Sequence, residues 1–304
     1  MQKTPVIAIL AYSNAQKAAI YGLTDLLETA AKFQLEDKKR QEFTVCQLEE
    51  PDEEQYLAII IPPSLGPQQS QQSRAALVTW LTRQHQQGAI ICSVCAGAFL
   101  LAQTGLLKNR AATTHWALSE KFTQNFPDVL LDSDKLLIDE GDIMTAGGLM
   151  AWVDLGLRLV DRFIGTSIMQ QTARYFLVDP GGREQRFYRT FSPALQHGDQ
   201  AILGVQHWLQ KHSNTKFTMA SLAGKINLTE RTFLRRFFKA TKLNPSEYLQ
   251  FLRVGKARSL MESSTLSVDE IAWQVGYQDS SAFRRIFHKT MGLTPREYRK
   301  RFMP

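Results

Sequence analysis

Over its first 165 residues the chain alternates short apolar runs with longer stretches in which apolar residues recur every three or four positions. The runs Val6–Leu10, Phe43–Gln47, Ala58–Ile61, Ala89–Ser93 and Ile143–Thr145 predict strands, several of them apolar on both faces, as buried parallel strands are. The stretches between them, Ala15–Phe33, Ser70–Gln86, Ala98–Gly105, His115–Asn125 and Met150–Phe163, predict helices. This alternation predicts an α/β doubly wound parallel sheet. From Thr166 the rhythm stops. Asp179-Pro-Gly-Gly, the arginines Arg174, Arg183, Arg186 and Arg189, and Ser192-Pro193 read as a linker over residues 166–198, one able to pack on one domain. The Gln-rich stretch Pro67–Gln72 reads as a solvated connection or helix start.

Residues 199–304 follow a different pattern, helical throughout and written twice. Asp199–His212 is amphipathic and opens this all-α part. Phe233-Leu-Arg-Arg-Phe-Phe returns fifty positions later as Phe283-Arg-Arg-Ile-Phe-His, with Phe-x-Arg-x-Phe as the shared skeleton. Asn244-Pro-Ser-Glu-Tyr returns as Thr294-Pro-Arg-Glu-Tyr: an N-cap, a proline at the first helical position and a glutamate placed for a capping box. Ahead of each basic helix lies a short apolar one, marked by Leu222, Ala223 and Ile226 in the first copy and by Ile271, Ala272 and Val275 in the second. Gly276 suits a left-handed turn. Each copy therefore predicts a helix-turn-helix. The Phe233/Phe237 and Phe283/Phe287 pairs bury one face of the basic helix, which leaves Arg231, Thr232, Leu234 and Arg235, or Ser280, Ser281, Arg284 and Arg285, as reading positions.

Charge sharpens this division. From Gln200 onward there are 18 Lys/Arg against 7 Asp/Glu, whereas the preceding part carries 18 against 22. A local basic excess on a duplicated helix-turn-helix points to double-stranded DNA as the partner. The early apolar run is too short to span a bilayer and makes a poor signal peptide, so no membrane association is expected. Three cysteines, Cys46, Cys92 and Cys95, give no disulfide framework and fit a reducing cytoplasm.

The motifs Ile271-Ala-x-x-Val-Gly-Tyr, Phe-x-Arg-x-Phe and Gly292-Leu-Thr-Pro-x-Glu-Tyr-Arg resemble those of the AraC/XylS family of transcription regulators. The resemblance covers about a hundred residues. It implies two helix-turn-helix motifs joined by a long helix, here from Pro245 towards Met261, and DNA contacts at the repeated arginines, Arg235 and Arg285. Lys242 departs from the pattern, since the second copy has Gly292 there, and predicts either a more strained turn or an added phosphate contact. The two copies differ at their reading positions, so the half-sites read by one domain should be unlike each other.

Cys95 follows the fourth predicted strand and is followed in turn by Ala96, Gly97 and Ala98. A strand-to-helix elbow of this kind displays its side chain at a helix N-terminus, which predicts a lowered thiol pKa and a reactive thiolate. His115 could activate such a thiol. Residues 6–163 resemble the PfpI-like branch of the class I glutamine amidotransferase-like superfamily through Cys95-Ala-Gly-Ala-Phe, Ala112-Thr-Thr-His-Trp and Thr145-Ala-Gly-Gly. That resemblance implies an acidic residue beside the cysteine. Asp25 occupies the matching position, one methylene shorter than the usual glutamate.

Residues 1–165 are therefore expected to sense a small, nitrogenous metabolite in a pocket made by Cys95, Ala96, Gly97, Asp25 and His115, without catalysis. They are also expected to form a homodimer. The alternative is a thiol-dependent amidase or hydrolase fused to a DNA-binding module. Cys92-Ser-Val-Cys95 spells C-x-x-C, but Cys92 falls inside the apolar strand and reads as a buried thiol. His85, His197, His207, His212 and His288 show no metal-ligand spacing with the cysteines, so neither a metal nor a cofactor is expected.

Overall fold

The computed structural model describes residues 4–36, 43–66, 71–181, 184–188, 191 and 193–303. The chain divides into two compact units, Met1–Arg186 and Phe187–Pro304.

In the first unit, β1 (Val6–Leu10), α1 (Lys17–Glu36), β2 (Thr44–Leu48), β3 (Ala58–Ile61), α2 (Gln71–Gln86), β4 (Ile90–Val94) and α3 (Gly97–Gln103) follow in turn. Then come β5 (Ala111–Ala112), α4 (Ser119–Asn125), β6 (Leu130–Leu131), β7 (Leu137–Asp139), β8 (Ile143–Ala146), α5 (Trp152–Phe163) and α6 (Thr166–Tyr175). The main sheet runs β2-β1-β3-β4-β8-β7, parallel except for the antiparallel edge strand β7. Every residue of β3 and β4 is buried, because helices cover both faces of the sheet. The two-residue period of β1 separates the cores. Ile7 and Ile9 join Leu23, Leu26, Leu155 and Leu159 under α1 and α5, whereas Ala8 and Leu10 join Ile59, Trp80, Leu81 and Leu101 under α2 and α3.

The segment read as a linker is not one over its first ten residues. Thr166–Tyr175 is a helix packed on α1 and α5, with Ile168, Thr172 and Ala173 buried. Its apolar positions recur at helical spacing, and covering them stabilises the helix more than the neighbouring Pro-Gly-Gly signal disfavours it. Gln185, further along the same segment, is also buried in this unit. Gly182, Arg183, Arg189, Ser192 and the stretch 67–70 of the Gln-rich loop lie outside the described residues. The short strands β5, β6 and β7 escape the sequence pattern, being two or three residues long.

The second unit is helical: α7 (Gln200–His212), α8 (Met219–Gly224), α9 (Glu230–Thr241), α10 (Pro245–Ser263), α11 (Val268–Gln274), α12 (Ser280–Met291) and α13 (Pro295–Phe302). It has two cores, bridged by α10. Tyr248 enters the first with Leu222, Phe233 and Phe237, while Val254, Ala257 and Met261 enter the second with Ile271, Phe283, Phe287 and Tyr298. Capping boxes at Asn244/Glu247 and Thr294/Glu297 start α10 and α13 as the sequence predicts. Lys242 and Gly292 both take left-handed geometry, so the lysine carries a strain that the glycine avoids.

The duplication contains an insertion. The N-caps Thr218 and Ser267 are 49 apart, as are the left-handed residues Asn227 (φ 53°) and Gly276 (φ 96°), whereas the N-caps Thr229 and Asp279 are 50 apart. The extra residue lies between the turn and the start of α12.

Candidate functional site

The second helix of each helix-turn-helix, α9 or α12, buries its phenylalanines and turns basic side chains outward. Phe233, Phe237, Phe283 and Phe287 are fully buried, while Arg231, Arg235, Arg284, Arg285 and Ser281 are exposed. Thr232, Leu234 and Ser280 are less free than the sequence implies. Leu234 is half-buried against the first core, and Thr232 accepts a hydrogen bond from the N-cap hydroxyl of Thr229 at 3.0 Å. Ser280 is half-buried at the first position of α12.

Neighbouring acids sort the arginines further. Arg284 pairs with Asp269 of α11 at 2.7 Å. Arg236 grips Asp199, the N-cap of α7, through two hydrogen bonds of 2.9 and 2.7 Å, which hold the Asp199 carboxyl below its usual pKa. Arg236 therefore works inside the fold. Among the described residues, no ion pair holds Arg231, Arg235 or Arg285.

In the first unit the chain turns sharply at Cys95 (φ 54°), between β4 and α3. Both peptide groups of this elbow are tied. Its N–H donates to the Ala146 carbonyl at 2.7 Å, and its C=O accepts from Thr114 Oγ1 at 2.8 Å. Gly97 is required just beyond, since a Cβ there would stand 2.6 Å from the Ile61 carbonyl and 2.9 Å from that of Pro62. A cavity of about 50 Å³ opens beside the elbow, lined by Tyr12, Ser64, Arg74, Ala96, Gly97, Phe99, Leu100 and Gln103. Tyr12 follows β1, Ser64 follows β3 and Ala96 follows β4, so the cavity sits at the carboxyl ends of the strands around the crossover of a doubly wound sheet.

Ala96 and Gly97 line this cavity, and Cys95 precedes them, but Asp25 and His115 are not among the lining residues. Asp25 is exposed on α1. His115 caps a 3-10 turn, its Nδ1 accepting from the Ala117 N–H at 3.1 Å, and burial lowers its pKa. Neither hydrogen-bonds the thiol. Tyr12 and Arg74 carry no motif in the sequence; only the rule that ligands gather at strand ends near the crossover would have singled them out.

The expected low-pKa thiolate is corrected. Cys95 is 6% exposed, and burial pushes its pKa up to about 11 against the lowering effect of the Ala96 N–H. Removing an anion from water costs more here than one amide and a seven-residue helix return. The sequence reading implies that Cys95 is alkylated before Cys46 and Cys92, whereas its burial should take that first place from it. Half-buried Cys46 should react with iodoacetamide first at pH 8, then Cys95, and fully buried Cys92 last. Peptide mass mapping over time reads the order, and the Cys95 rate should climb about tenfold per pH unit up to its pKa. Cys95 reacting first would contradict this account of the elbow.

Among the described residues, no cluster of three His, Cys, Asp or Glu could hold a metal, and no helix is long and apolar enough to cross a membrane.

The DJ-1/PfpI family model matches residues 27–162, and a helix-turn-helix domain model matches residues 222–301. The HTH-type transcriptional regulator CdhR of Pseudomonas aeruginosa is 28% identical over 74% of this chain and 67% of its own length. The HTH-type transcriptional regulator GbdR of the same species is 26% identical over 73% of this chain and 61% of its own length. The chain thus spans about two-thirds of the length of these relatives. A protein of known crystal structure from Vibrio parahaemolyticus shares the fold of the first unit with a TM-score of 0.50 and 20% identity, covering 57% of this chain and 99% of that one. Two exposed basic helices on a duplicated scaffold, preceded by a doubly wound sheet with a cysteine elbow, agree with both family matches: the chain combines a DJ-1/PfpI domain with an AraC-type helix-turn-helix domain behind it, and is similar to DNA-binding regulators of transcription.

Proposed function

We propose that the protein reads two unlike half-sites with α9 and α12, and that its first unit adjusts this reading by binding a small, nitrogenous metabolite at the Cys95 elbow without transforming it. Arg231, Arg235, Arg284 and Arg285 are the DNA contacts of this reading, with Ser281 beside them. The observation that carries the sensor half is the buried elbow: Cys95 is 6% exposed with both its peptide groups hydrogen-bonded, and a cavity of about 50 Å³ lies alongside it. That space holds a few waters. A metabolite larger than that must widen the pocket, and a site that changes shape on binding gives the ligand different affinities for two states, which is what a switch requires. A hydrolase would need an ionised thiol with a base in reach, and neither Asp25 nor His115 bonds to this one.

Tyr12 and Ser64 donate their hydroxyl protons to the Pro62 and Gly66 carbonyls and so present acceptor oxygens to such a ligand, while the Gln103 amide presents both a donor and an acceptor. The protein works as a cytoplasmic homodimer, paired through the first unit. A thermal-shift screen of nitrogenous metabolites on the full chain finds the effector. A reporter on the protein's own target promoter then compares wild type with Cys95→Ala. The substitution should shift or abolish the effector dose-response while leaving operator affinity near wild type. An identical dose-response, or Cys95-dependent consumption of the effector, would overturn the sensor reading.

A further inference from the structure

Gln185 is the last residue but one of the first unit, and it is 2% exposed. Its Nε2 lies 2.8 Å from the Thr114 carbonyl, 2.9 Å from the Lys135 carbonyl and 3.1 Å from Thr113 Oγ1. Its Oε1 accepts from the Trp116 N–H at 3.1 Å, and its own N–H donates to the Asp134 carbonyl at 2.9 Å. The amide lies over Gly147 so closely that a Cβ there would stand 1.9 Å from Nε2. The side chain is thus a peg, set in a socket that requires a glycine.

The socket and the elbow share their walls. Thr114, whose carbonyl receives the peg, donates its hydroxyl to the Cys95 carbonyl. Ala146, whose carbonyl receives the Cys95 N–H, precedes Gly147, on which the peg rests. Both peptide groups of the elbow are therefore bound to the two segments that clasp Gln185.

Only Arg186 separates the peg from a run of aromatic residues fixed in the second unit. The Phe187 ring lies 5.1 Å from the Arg301 guanidinium, and the Tyr188 ring 5.4 Å from Phe302. Phe191 packs on Tyr248 and Phe251 at 5.2 and 5.1 Å. The chain passes from one anchored end to the other with a single residue between, where the sequence suggests a linker of some thirty.

We propose that Gln185 couples the elbow to the DNA-binding unit: opening the pocket at Cys95 moves Thr114 and Ala146, unseats the peg and lengthens the tether that enters at Phe187. The inference rests on the elbow being the sensing end, but it is tested without any effector. Coupling is reciprocal, so freeing the peg must loosen the elbow.

In the full chain, Gln185→Met keeps the volume of the peg and removes its amide, while Gly147→Ala fills the socket from the opposite side. Both should speed methylthiolation of Cys95 by methyl methanethiosulfonate, and tryptic cleavage after Arg186, by roughly tenfold or more, the scale set by losing two or three buried hydrogen bonds. Wild type that has been methylthiolated at Cys95 should also be cut faster after Arg186, and Gln185→Met should gain nothing further from that modification. Near-UV circular dichroism identifies variants that keep the fold. Should Gly147→Ala lose it, the volume-conserving Gln185→Met carries the test. Faster cleavage with an unchanged Cys95 rate would make the peg purely structural and overturn the coupling, as would no change in either rate. Neither result bears on whether Cys95→Ala alters the effector response.

Discussion

Alanine at Arg235 or at Arg285 should each weaken operator binding by about 1–3 kcal/mol if the contact is a bidentate pair to a base edge, roughly five- to 150-fold in affinity. The two arginines occupy the same position of the Phe-x-Arg-x-Phe skeleton, both exposed and neither held by an ion pair among the described residues, so nothing in the fold competes for them. They lie on different recognition helices with separate cores, and the double variant should therefore lose close to the sum. A phosphate contact would show instead as a salt slope lower by about one. Arg284 should lose less, because DNA must first separate it from Asp269, and a half-exposed pair of that kind is worth about 0.2–1 kcal/mol. Asp269→Asn releases it and should tighten binding slightly. Gel-shift titrations at fixed salt measure all five variants, and a salt series gives the slope. Wild-type affinity in both Arg235→Ala and Arg285→Ala would remove α9 and α12 as the reading elements.

What the sequence disclosed and what it withheld divide along physical lines. The parallel strands were legible because residues such as Ala58-Ile-Ile-Ile are buried on both faces and must read as unbroken apolar runs. The two basic helices were legible because burying Phe233/Phe237 and Phe283/Phe287 leaves a fixed periodic trace. The helix 166–175 was obscured because its stripe of Ile168, Thr172 and Ala173 is short and partly polar, and the nearby arginines and Asp179-Pro-Gly signal dominate a local reading. The elbow's shape could be read, but not its electrostatics. Whether Cys95 meets water depends on how the elbow is packed, and Thr114 and Ala146, which tie its two peptide groups, come from distant parts of the chain. Gln185 lay in the stretch read as a linker, and its role as a peg is visible only once Thr114, Lys135 and Gly147 are assembled around it.

The turn in the second helix-turn-helix should be sensitive to a single added methyl group. Gly276 takes φ 96°, and an added Cβ would lie 2.7 Å from both the Cα and the carbonyl oxygen of Asn214, with Arg253 Nη2 at 3.0 Å. The Asn214 contacts are backbone and cannot swing aside. Arg253 is engaged as well: its Nε donates to the Ser213 carbonyl at 2.7 Å, and its guanidinium lies 5.3 Å from the Tyr277 ring, so the turn, α10 and the end of α7 are clamped at one point. Left-handed geometry costs a side-chain-bearing residue about 1–2 kcal/mol, and overpacking a fixed wall about 1–3 kcal/mol more. Gly276→Ala should therefore destabilise the second unit by roughly 2–5 kcal/mol and weaken DNA binding through misplacement of α12, with α9 left in position. The first copy supplies the control. Asn227 holds the equivalent left-handed place at φ 53° with an amide side chain, so Asn227→Gly should be neutral or slightly stabilising, relieving strain at the expense of unfolded-state entropy. Urea unfolding of the full chain, read by hydrogen exchange of peptides from the second unit, should separate the two, with Gly276→Ala moving the transition of the second unit and Asn227→Gly leaving it in place. Equal effects from the two substitutions would mean that the turns are not the matched pair their backbone angles imply.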